Sequence, residues 1–277
     1  MYELRHTIDY FMNQVTQVLF EGEAKYLMCS SADSSIIVMD FNPKPYKVSN
    51  QVDKSIYNVN DHSYNGAPSK TWDICNIKST NPKPVTRTDL SVPGAFLLHE
   101  VLSEEECAHF IKETEALQYE DCYGFHPSYR SNKRVIVNDI GLADLILERT
   151  KEFLPLQYEV EGEMWKAKCL NPQWRFCRYN PGQHFSAHID GCYTLDMNNR
   201  SWFTFMIYLN GGFKGGSTNF LKKIDRDTKI VTCEVPPERG LVLVFPHHLL
   251  HEGEPLGNKQ KYIMRSDLMF EKIHVKK

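Results

Sequence analysis

The chain has 277 residues, of which 24% are charged, and a formal net charge of -3. A chain of this length can bury a full hydrophobic core as one large domain, alone or with an appendage. The slightly acidic balance lacks the basic footprint typical of nucleic-acid binders, and no apolar run approaches the ~20 residues that cross a bilayer. The eight scattered cysteines indicate reduced thiols. With no signal-peptide pattern at the N-terminus, we expect a cytoplasmic protein.

Residues 1–93 carry weak structural signals. Apolar residues spaced by three and four predict an amphipathic helix within residues 1–20. Two strands are predicted at 25–29 and 36–41. Residues 42–93 are rich in Asn, Ser, Pro, Thr and Lys, which favours loops or a linker, with short strands near 56–59 and 72–77. We treat residues 1–93 as an N-terminal extension and assign it no function.

Residues 94–277 form the predicted main domain, which begins with a short strand and two helices. A strand is expected at residues 95–98. Ser103 then opens a helix, because Glu106 completes a capping box with it. A second helix is predicted from about residue 142 to 153, starting near Asn138 or Asp139. The charged segment 129–137 between the helices is expected to be a solvated strand and turn.

Strand signals dominate from Gln173 onward. Short strands separated by Gly, Pro and Asn turns predict a mainly β sandwich or jelly roll with supporting helices. The segment Gly211–Gly216 is expected to connect two strands as a hairpin, since no phosphate-binding motif follows it. The predicted strands are 173–179, 184–190, 202–209, 217–221, 229–235, 241–245 and 261–270.

The triplet His188-Ile189-Asp190 carries the main chemical signal. On a strand, side chains two residues apart share a face, so the imidazole and the carboxylate point the same way. A further histidine, His251, precedes the last predicted strand. Two histidines and one carboxylate, with the other metal positions open, are the ligand set of non-haem Fe(II) oxygenases.

Three other histidines compete as ligands. His184 shares the His188 face by strand parity but lies roughly 13 Å along the strand, too far to share a metal. His247 and His248 lie just before the predicted turn, and we expect them to support the site or to lie on the surface. A zinc hydrolase is disfavoured, because no Glu or second base lies at a recognised spacing.

Five motifs follow one another in this chain. They are Tyr179-x-Pro-Gly, His188-x-Asp190, Tyr208-Leu209-Asn210, Gly215-Gly216-Ser217-Thr218-Asn219-Phe220 and His251-x-Gly-x-Pro255. This order resembles the 2-oxoglutarate- and Fe(II)-dependent dioxygenases of the prolyl 4-hydroxylase type. The resemblance implies a double-stranded β-helix core. It also implies that 2-oxoglutarate and O2 become succinate and CO2 while a substrate is hydroxylated, with ascorbate as a possible reductant.

The resemblance also implies a cosubstrate site. Lys261 has the family's spacing from His251 and is the expected partner of the far carboxylate of 2-oxoglutarate. Tyr179 and Tyr208 resemble the family's cosubstrate-binding tyrosines, and Thr204 shares the face of Tyr208. Arg265 departs from the pattern, because it places a second cation on the face of Lys261. We expect Lys261 to be the primary partner.

The substrate stays open at this level. Arg130, Asn132 and Arg134 precede the barrel on a segment that, by the resemblance, is expected to fold over the mouth of the site. Arginine there suits a carboxylate or phosphate, and structural ion pairs are the alternative. The substrate is a prolyl or other side chain of a peptide or protein, or a small molecule. Oxidative demethylation of nucleic acid is disfavoured by the acidic balance, and a non-catalytic β-barrel binding module by the complete triad. The sequence does not indicate an oligomeric state.

Overall fold

The computed structural model describes residues 83–122, 126–225 and 228–274, together with the backbone of three strands nearer the N-terminus. The chain divides into two units, Met1–Ile56 and Tyr57–Lys277. No helix in these described parts is long and apolar enough to span a membrane.

The first unit contains a three-stranded antiparallel sheet. Its strands are β1 (Val15–Phe20), β2 (Tyr26–Ser31) and β3 (Ile36–Asp40), each paired with the next in sequence. The predictions for β2 and β3 are confirmed. The helix predicted for residues 1–20 is wrong over 15–20, where three β-branched residues favour extended backbone. The rest of that helix, and the strands predicted near 56–59 and 72–77, lie outside the described residues.

The second unit combines helices with many strands. Its helices are α1 (Glu104–Leu117) and α2 (Ile140–Thr150). Its strands are β4 (Thr86–Asp89), β5 (Phe96–His99), β6 (Glu120–Asp121), β7 (Lys133–Asn138), β8 (Gln157–Val160), β9 (Glu163–Leu170), β10 (Gln173–Tyr179), β11 (Phe185–His188), β12 (Thr194–Asp196), β13 (Asn199–Tyr208), β14 (Thr218–Lys223), β15 (Lys229–Val235), β16 (Val242–Pro246), β17 (His251–Gly253) and β18 (Lys261–Lys272).

Two sheets form the barrel. The large sheet runs β4-β5-β16-β13-β18-β10-β7-β6, and the small sheet runs β11-β17-β14-β15. From β10 to β18 the chain passes repeatedly from one sheet to the other, which is the winding of a double-stranded β-helix. The predicted fold class is therefore confirmed. The boundary predicted at residue 93 stays a prediction, although β4 already belongs to the large sheet.

Each helix begins as its sequence predicts. Ser103 caps α1 and forms a complete capping box with Glu106, and Asp139 caps α2. Buried Glu106 also forms an ion pair with Arg149 of α2, with an N–O distance of 2.6 Å. One apolar core packs the helices on the large sheet, and a second fills the space between the two sheets. The helices therefore support the large sheet and leave the barrel interior to the site.

Three features differ from the sequence predictions. Residues 133–138 form a strand within the large sheet rather than a solvated one, because Val135, Ile136 and Val137 are buried. Strands β4, β6, β8, β9, β12 and β17 were not predicted, although charged and apolar residues alternate in β8 and β9, which is the pattern of a half-buried strand. Gly211–Gly216 is not a hairpin, because β13 lies in the large sheet and β14 in the small one. This segment instead carries the chain across the barrel.

Candidate active site

His188 and His251 face each other across the small sheet. The antiparallel register of β11 and β17 pairs the two residues directly, and their ring centroids lie 4.3 Å apart. Asp190 follows β11, where its backbone N–H donates to the carbonyl of His247 at 2.9 Å. Its Oδ1 lies 3.6 Å from His188 Nε2, and its Oδ2 lies 3.6 Å from His251 Nε2. The three predicted ligands thus converge, and they are the one such group of potential metal ligands in the described part of the chain.

A β-bulge in β11 shapes this site. Phe185 pairs with Gly253 and His188 with His251, so β11 carries one more residue than β17 between the two pairs. The bulge breaks the strict alternation of faces. Phe185 therefore joins His188 in the cavity, and the two rings stack with centroids 3.6 Å apart. The parity argument that put His184 on the His188 face is wrong for this reason.

Hydrogen bonds fix both imidazoles. Nδ1 of His188 lies 2.7 Å from the carbonyl of Ser186, and Nδ1 of His251 lies 2.9 Å from that of Leu249. Because a carbonyl only accepts, each Nδ1 carries the proton and each Nε2 presents its lone pair to the site. Burial and the neighbouring His188 lower the pKa of His251 to about 3, which keeps it neutral. Two imidazoles and a carboxylate fit Fe(II), and these three residues would hold it.

Asp190 stays ionised although it is buried. Burial by itself raises the pKa of its carboxyl, but Arg265 and the two histidines outweigh that effect and hold it well below its ordinary value. Arg265 Nη1 lies 2.7 Å from Asp190 Oδ1. The hydroxyl of Thr204 donates to Asp190 Oδ2 at 2.5 Å. The carboxylate therefore keeps its charge for a metal.

A cavity opens beside the three ligands. Lys261 lines it together with Tyr179 and Thr218. Its ammonium group donates to the carbonyl of Gly216 and lies 5.3 Å and 5.5 Å from the ring centroids of Tyr179 and Tyr208. Burial lowers the pKa of Lys261 to about 8. Tyr208 donates its own hydroxyl to Thr218 Oγ1 at 2.7 Å.

The two predicted cations therefore have different surroundings. Arg265 forms ion pairs with Asp190 and, at 3.4 Å, with Asp267. Lys261 has no carboxylate within ion-pair distance in the described residues. Thr204, predicted to line the cosubstrate site, does line the cavity, but its hydroxyl is bound to Asp190.

Of the three predicted substrate residues, Arg130 alone lines the cavity. Its guanidinium carbon lies 4.4 Å from the centroid of the Phe185 ring. Asn132 is buried and accepts from Arg130 Nε at 2.7 Å. Arg134 lies on β7 opposite Cys177, outside the cavity lining. Backbone hydrogen bonds from Ser186 to Tyr129 and from Ser131 to His184 attach this segment to the edge of β11.

The remaining histidines follow the prediction that they are not ligands. His184 Nε2 lies 2.9 Å from the carbonyl of Ser128, and His248 is exposed. His247 is buried between Ser201 and Thr204, and burial lowers its pKa to about 4. Phe185 and Thr218 also line the cavity, although the sequence did not predict this role for them. Thr218 could have been predicted, since it belongs to the motif that runs from Gly215 to Phe220.

Comparison with known proteins identifies the domain. The sequence model of the 2OG-Fe(II) oxygenase superfamily matches residues 174–266, which include the three converging ligands and Lys261. The chain contains a 2OG-Fe(II) oxygenase domain. This oxygenase domain uses Fe(II) with 2-oxoglutarate and O2 as cosubstrates, and the resemblance to Fe(II)- and 2-oxoglutarate-dependent dioxygenases is confirmed at the level of this superfamily. No curated protein sequence matches the chain.

The oxygenase is also similar to solved structures. A prolyl-4-hydroxylase from Pseudomonas putida is 19% identical, with a TM-score of 0.46, covering 67% of this chain and 96% of that one. A viral collagen prolyl hydroxylase from Paramecium Bursaria Chlorella virus-1, with 2OG bound, is 20% identical, with a TM-score of 0.43 and coverage of 69% and 97%. A Trichoplax adhaerens prolyl hydroxylase bound to a hypoxia inducible factor peptide is 13% identical, with a TM-score of 0.47 and coverage of 65% and 84%.

Proposed function

We propose that this oxygenase hydroxylates an amino-acid side chain of a peptide or protein, such as a prolyl group, with His188, Asp190 and His251 holding Fe(II). One observation carries the proposal. The three ligands and Lys261 line a single cavity, which brings the proposed metal site and a cation for the far carboxylate of 2-oxoglutarate into one pocket. The motif order of the prolyl 4-hydroxylase type supports a peptide substrate.

Lys261 is the proposed partner of the far carboxylate of 2-oxoglutarate. An unpaired charge is costly to bury, and within the described residues the ammonium group of buried Lys261 has a carbonyl as its hydrogen-bond partner and no carboxylate, which favours an incoming anion. Tyr179 flanks the ammonium group, and Thr218 offers its hydroxyl on the same wall. Arg265 is a weaker candidate, because two carboxylates already occupy its guanidinium group.

The protein's own part is to bind, orient and exclude water. When bound, Fe(II) supplies the oxygen chemistry that couples decarboxylation of 2-oxoglutarate to oxidation of the substrate. The ring of Phe185 covers one face of His188, and Phe245 lies 4.7 Å from His251 between ring centroids. These rings keep water from that side of the ligands, and Lys261 fixes the far end of the cosubstrate.

Arg130 is the proposed contact on the substrate side. It lines the cavity and packs against the ring of Phe185, which also stacks on His188. Arg130 Nε–H donates a hydrogen bond to Asn132 Oδ1, which fixes the plane of the guanidinium group. A planar guanidinium group suits a carboxylate or a peptide carbonyl. Arg134 is not proposed as a direct contact, since it lies outside the cavity lining.

The test is a screen of peptides and small molecules for stimulated 2-oxoglutarate turnover, read as succinate and as a mass gain of one oxygen in the product. A peptide that gains one oxygen only with Fe(II) and 2-oxoglutarate supports the proposal. Arg130→Gln should then reduce peptide hydroxylation more than the uncoupled formation of succinate. Oxidation of methylated nucleic acid, with no peptide oxidised, would overturn the substrate class.

A further inference from the structure

Each carboxylate oxygen of Asp190 contacts a hydrogen-bond donor from the large sheet. Arg265 Nη1 lies 2.7 Å from Oδ1, and Thr204 Oγ1 lies 2.5 Å from Oδ2. The same two oxygen atoms lie 3.6 Å from His188 Nε2 and His251 Nε2, respectively. Each oxygen therefore has one fixed donor on its far side and still has lone pairs to direct at a metal between the imidazoles.

The hydrogen bonds behind Thr204 run in one direction. A carboxylate has no proton, so the single hydroxyl proton of Thr204 must go to Asp190. Thr204 Oγ1 then accepts from His247 Nδ1, 3.0 Å away, which makes that nitrogen the protonated one. His247 Nε2 is left as an acceptor for the hydroxyl of Ser201, 2.8 Å away. Ser201 accepts in turn from the backbone N–H of Tyr193 at 2.8 Å.

Arg265 is anchored as well. Its Nη2 lies 3.4 Å from Asp267 Oδ1, and Arg175 Nη1 lies 2.8 Å from Oδ2 of the same carboxylate. Asp267 and Ser201 are buried. Asp190 thus lies between two supports, one from the strand of Thr204 and one from the strand of Arg265, and these strands are paired along most of their length.

We propose that Arg265, together with the chain Ser201-His247-Thr204, is a positioning device that holds Asp190 in its metal-binding geometry before the metal arrives and so sets metal affinity. It rests on the proposed metal site, and it gives Thr204 and Arg265 a task distinct from binding 2-oxoglutarate. Groups that orient metal ligands in this way contribute about 10–100-fold to metal affinity. A polar network with a structural role alone affects stability and leaves metal affinity unchanged.

The first test removes the hydroxyl group of Thr204. Thr204→Val keeps the shape of the side chain and removes the hydroxyl, whereas Thr204→Ser keeps the hydroxyl. Titration of the purified full chain with Mn(II), followed by electron paramagnetic resonance without cosubstrate, gives metal affinity independently of activity. We expect Thr204→Val to bind Mn(II) about 10-fold or more weakly and Thr204→Ser to bind within about threefold of the parent protein. Equal affinity of the valine and serine variants would overturn the proposal.

The second test has a matched control within the same network. Arg265 and Arg175 both pair with Asp267, and their side chains are 19% and 20% exposed. Only Arg265 reaches Asp190. Arg265→Met should weaken Mn(II) binding about 10–100-fold, and Arg175→Met should leave it within about threefold. Equal losses would mean that the network acts through stability alone.

His251→Ala separates this proposal from the one on which it rests. If His251→Ala abolishes Mn(II) binding while Thr204→Val and Arg265→Met leave it unchanged, the metal site stands and the positioning device is wrong. If His251→Ala binds Mn(II) as the parent protein does, the metal site itself is wrong. The absorption spectrum of the Co(II) form gives a further signature, because a displaced Asp190 changes the ligand field and a change in folding stability does not.

Discussion

Phe185 stacks on His188, with ring centroids 3.6 Å apart and an angle of 18° between the ring planes. The contact depends on the bulge in β11, which turns residues of opposite parity toward the same cavity. Arg130 lies over the same phenyl ring. One aromatic side chain therefore connects a metal ligand with the proposed substrate contact.

We expect Phe185→Leu to weaken metal binding. Aromatic stacking is worth about 0.5–1.5 kcal/mol, so its loss corresponds to about a 2- to 10-fold rise in the dissociation constant of Mn(II). The measurement is the same titration of the purified protein. Phe153→Leu is the control, because Phe153 packs against the core on the helix side, away from the ligands. An unchanged affinity in Phe185→Leu would mean that the stack does not orient His188.

The ligand histidines should be required individually. We expect His188→Ala and His251→Ala each to abolish Fe(II)-dependent succinate formation, because two ligands hold the metal far more weakly than three. Circular dichroism should show a preserved fold, since the ligands lie on the cavity wall. His184→Ala is the control and should keep its activity. Undiminished succinate formation by either ligand variant would exclude the proposed triad.

Replacing Lys261 and replacing Arg265 should have different effects on the KM for 2-oxoglutarate. Lys261→Met removes the proposed partner of a buried carboxylate, at a cost of ~3 kcal/mol, a hundredfold or more in KM. Arg265→Met should leave this KM nearly unchanged when Fe(II) is saturating, because its partners are Asp190 and Asp267. The reverse result would assign the cosubstrate to Arg265.

Cosubstrate affinity should also depend on pH. Burial, which outweighs the opposing effects of Cys177 and Glu254, lowers the pKa of Lys261 to about 8. Below this pH the ammonium form predominates and binds the carboxylate. Above it the amine is neutral, so the KM for 2-oxoglutarate should rise up to about 10-fold per pH unit. The nearby Tyr179 and Tyr208 stay neutral, because burial raises the pKa of each.

Lys261→Arg is the control for this dependence. Arginine stays charged throughout the range, so its KM should be flat between about pH 7 and 9.5. If the parent protein is equally flat while Lys261→Met has lost affinity, Lys261 binds the cosubstrate but titrates outside this range.

A stability prediction concerns the helical support. Glu106 is buried, accepts from the backbone of Ser103 and pairs with Arg149 through both of its oxygens. Glu106→Gln removes the buried carboxylate that pairs with Arg149 and should lower the free energy of unfolding by about 3–5 kcal/mol. Urea unfolding measures this value. Exposed Glu105→Gln is the control and should leave the free energy of unfolding close to that of the parent protein; if Glu106→Gln loses no more than this control does, the buried pair adds nothing.

The sequence predicted what depends on local patterns. The metal triplet and the capping box at Ser103 are short-range signals, and strand β10 was placed at its correct bounds. The bulge in β11 was not predictable, because it arises from pairing with β17, which lies far along the chain. The charged segment before Val135 concealed a buried strand, since burial depends on which strands flank it. The contact of Arg265 with Asp190 likewise requires the closed barrel.

Because His188 pairs with His251, a bound metal ion would also cross-link two strands. A metal ion held by both histidines would join β11 to β17 across a long stretch of chain and would bind only when those strands are in register. Ligands that bind the folded state alone stabilise it by mass action. Iron supply would therefore affect the lifetime of the folded protein as well as its rate of turnover. Chelation should shorten its lifetime against proteases before any substrate is involved.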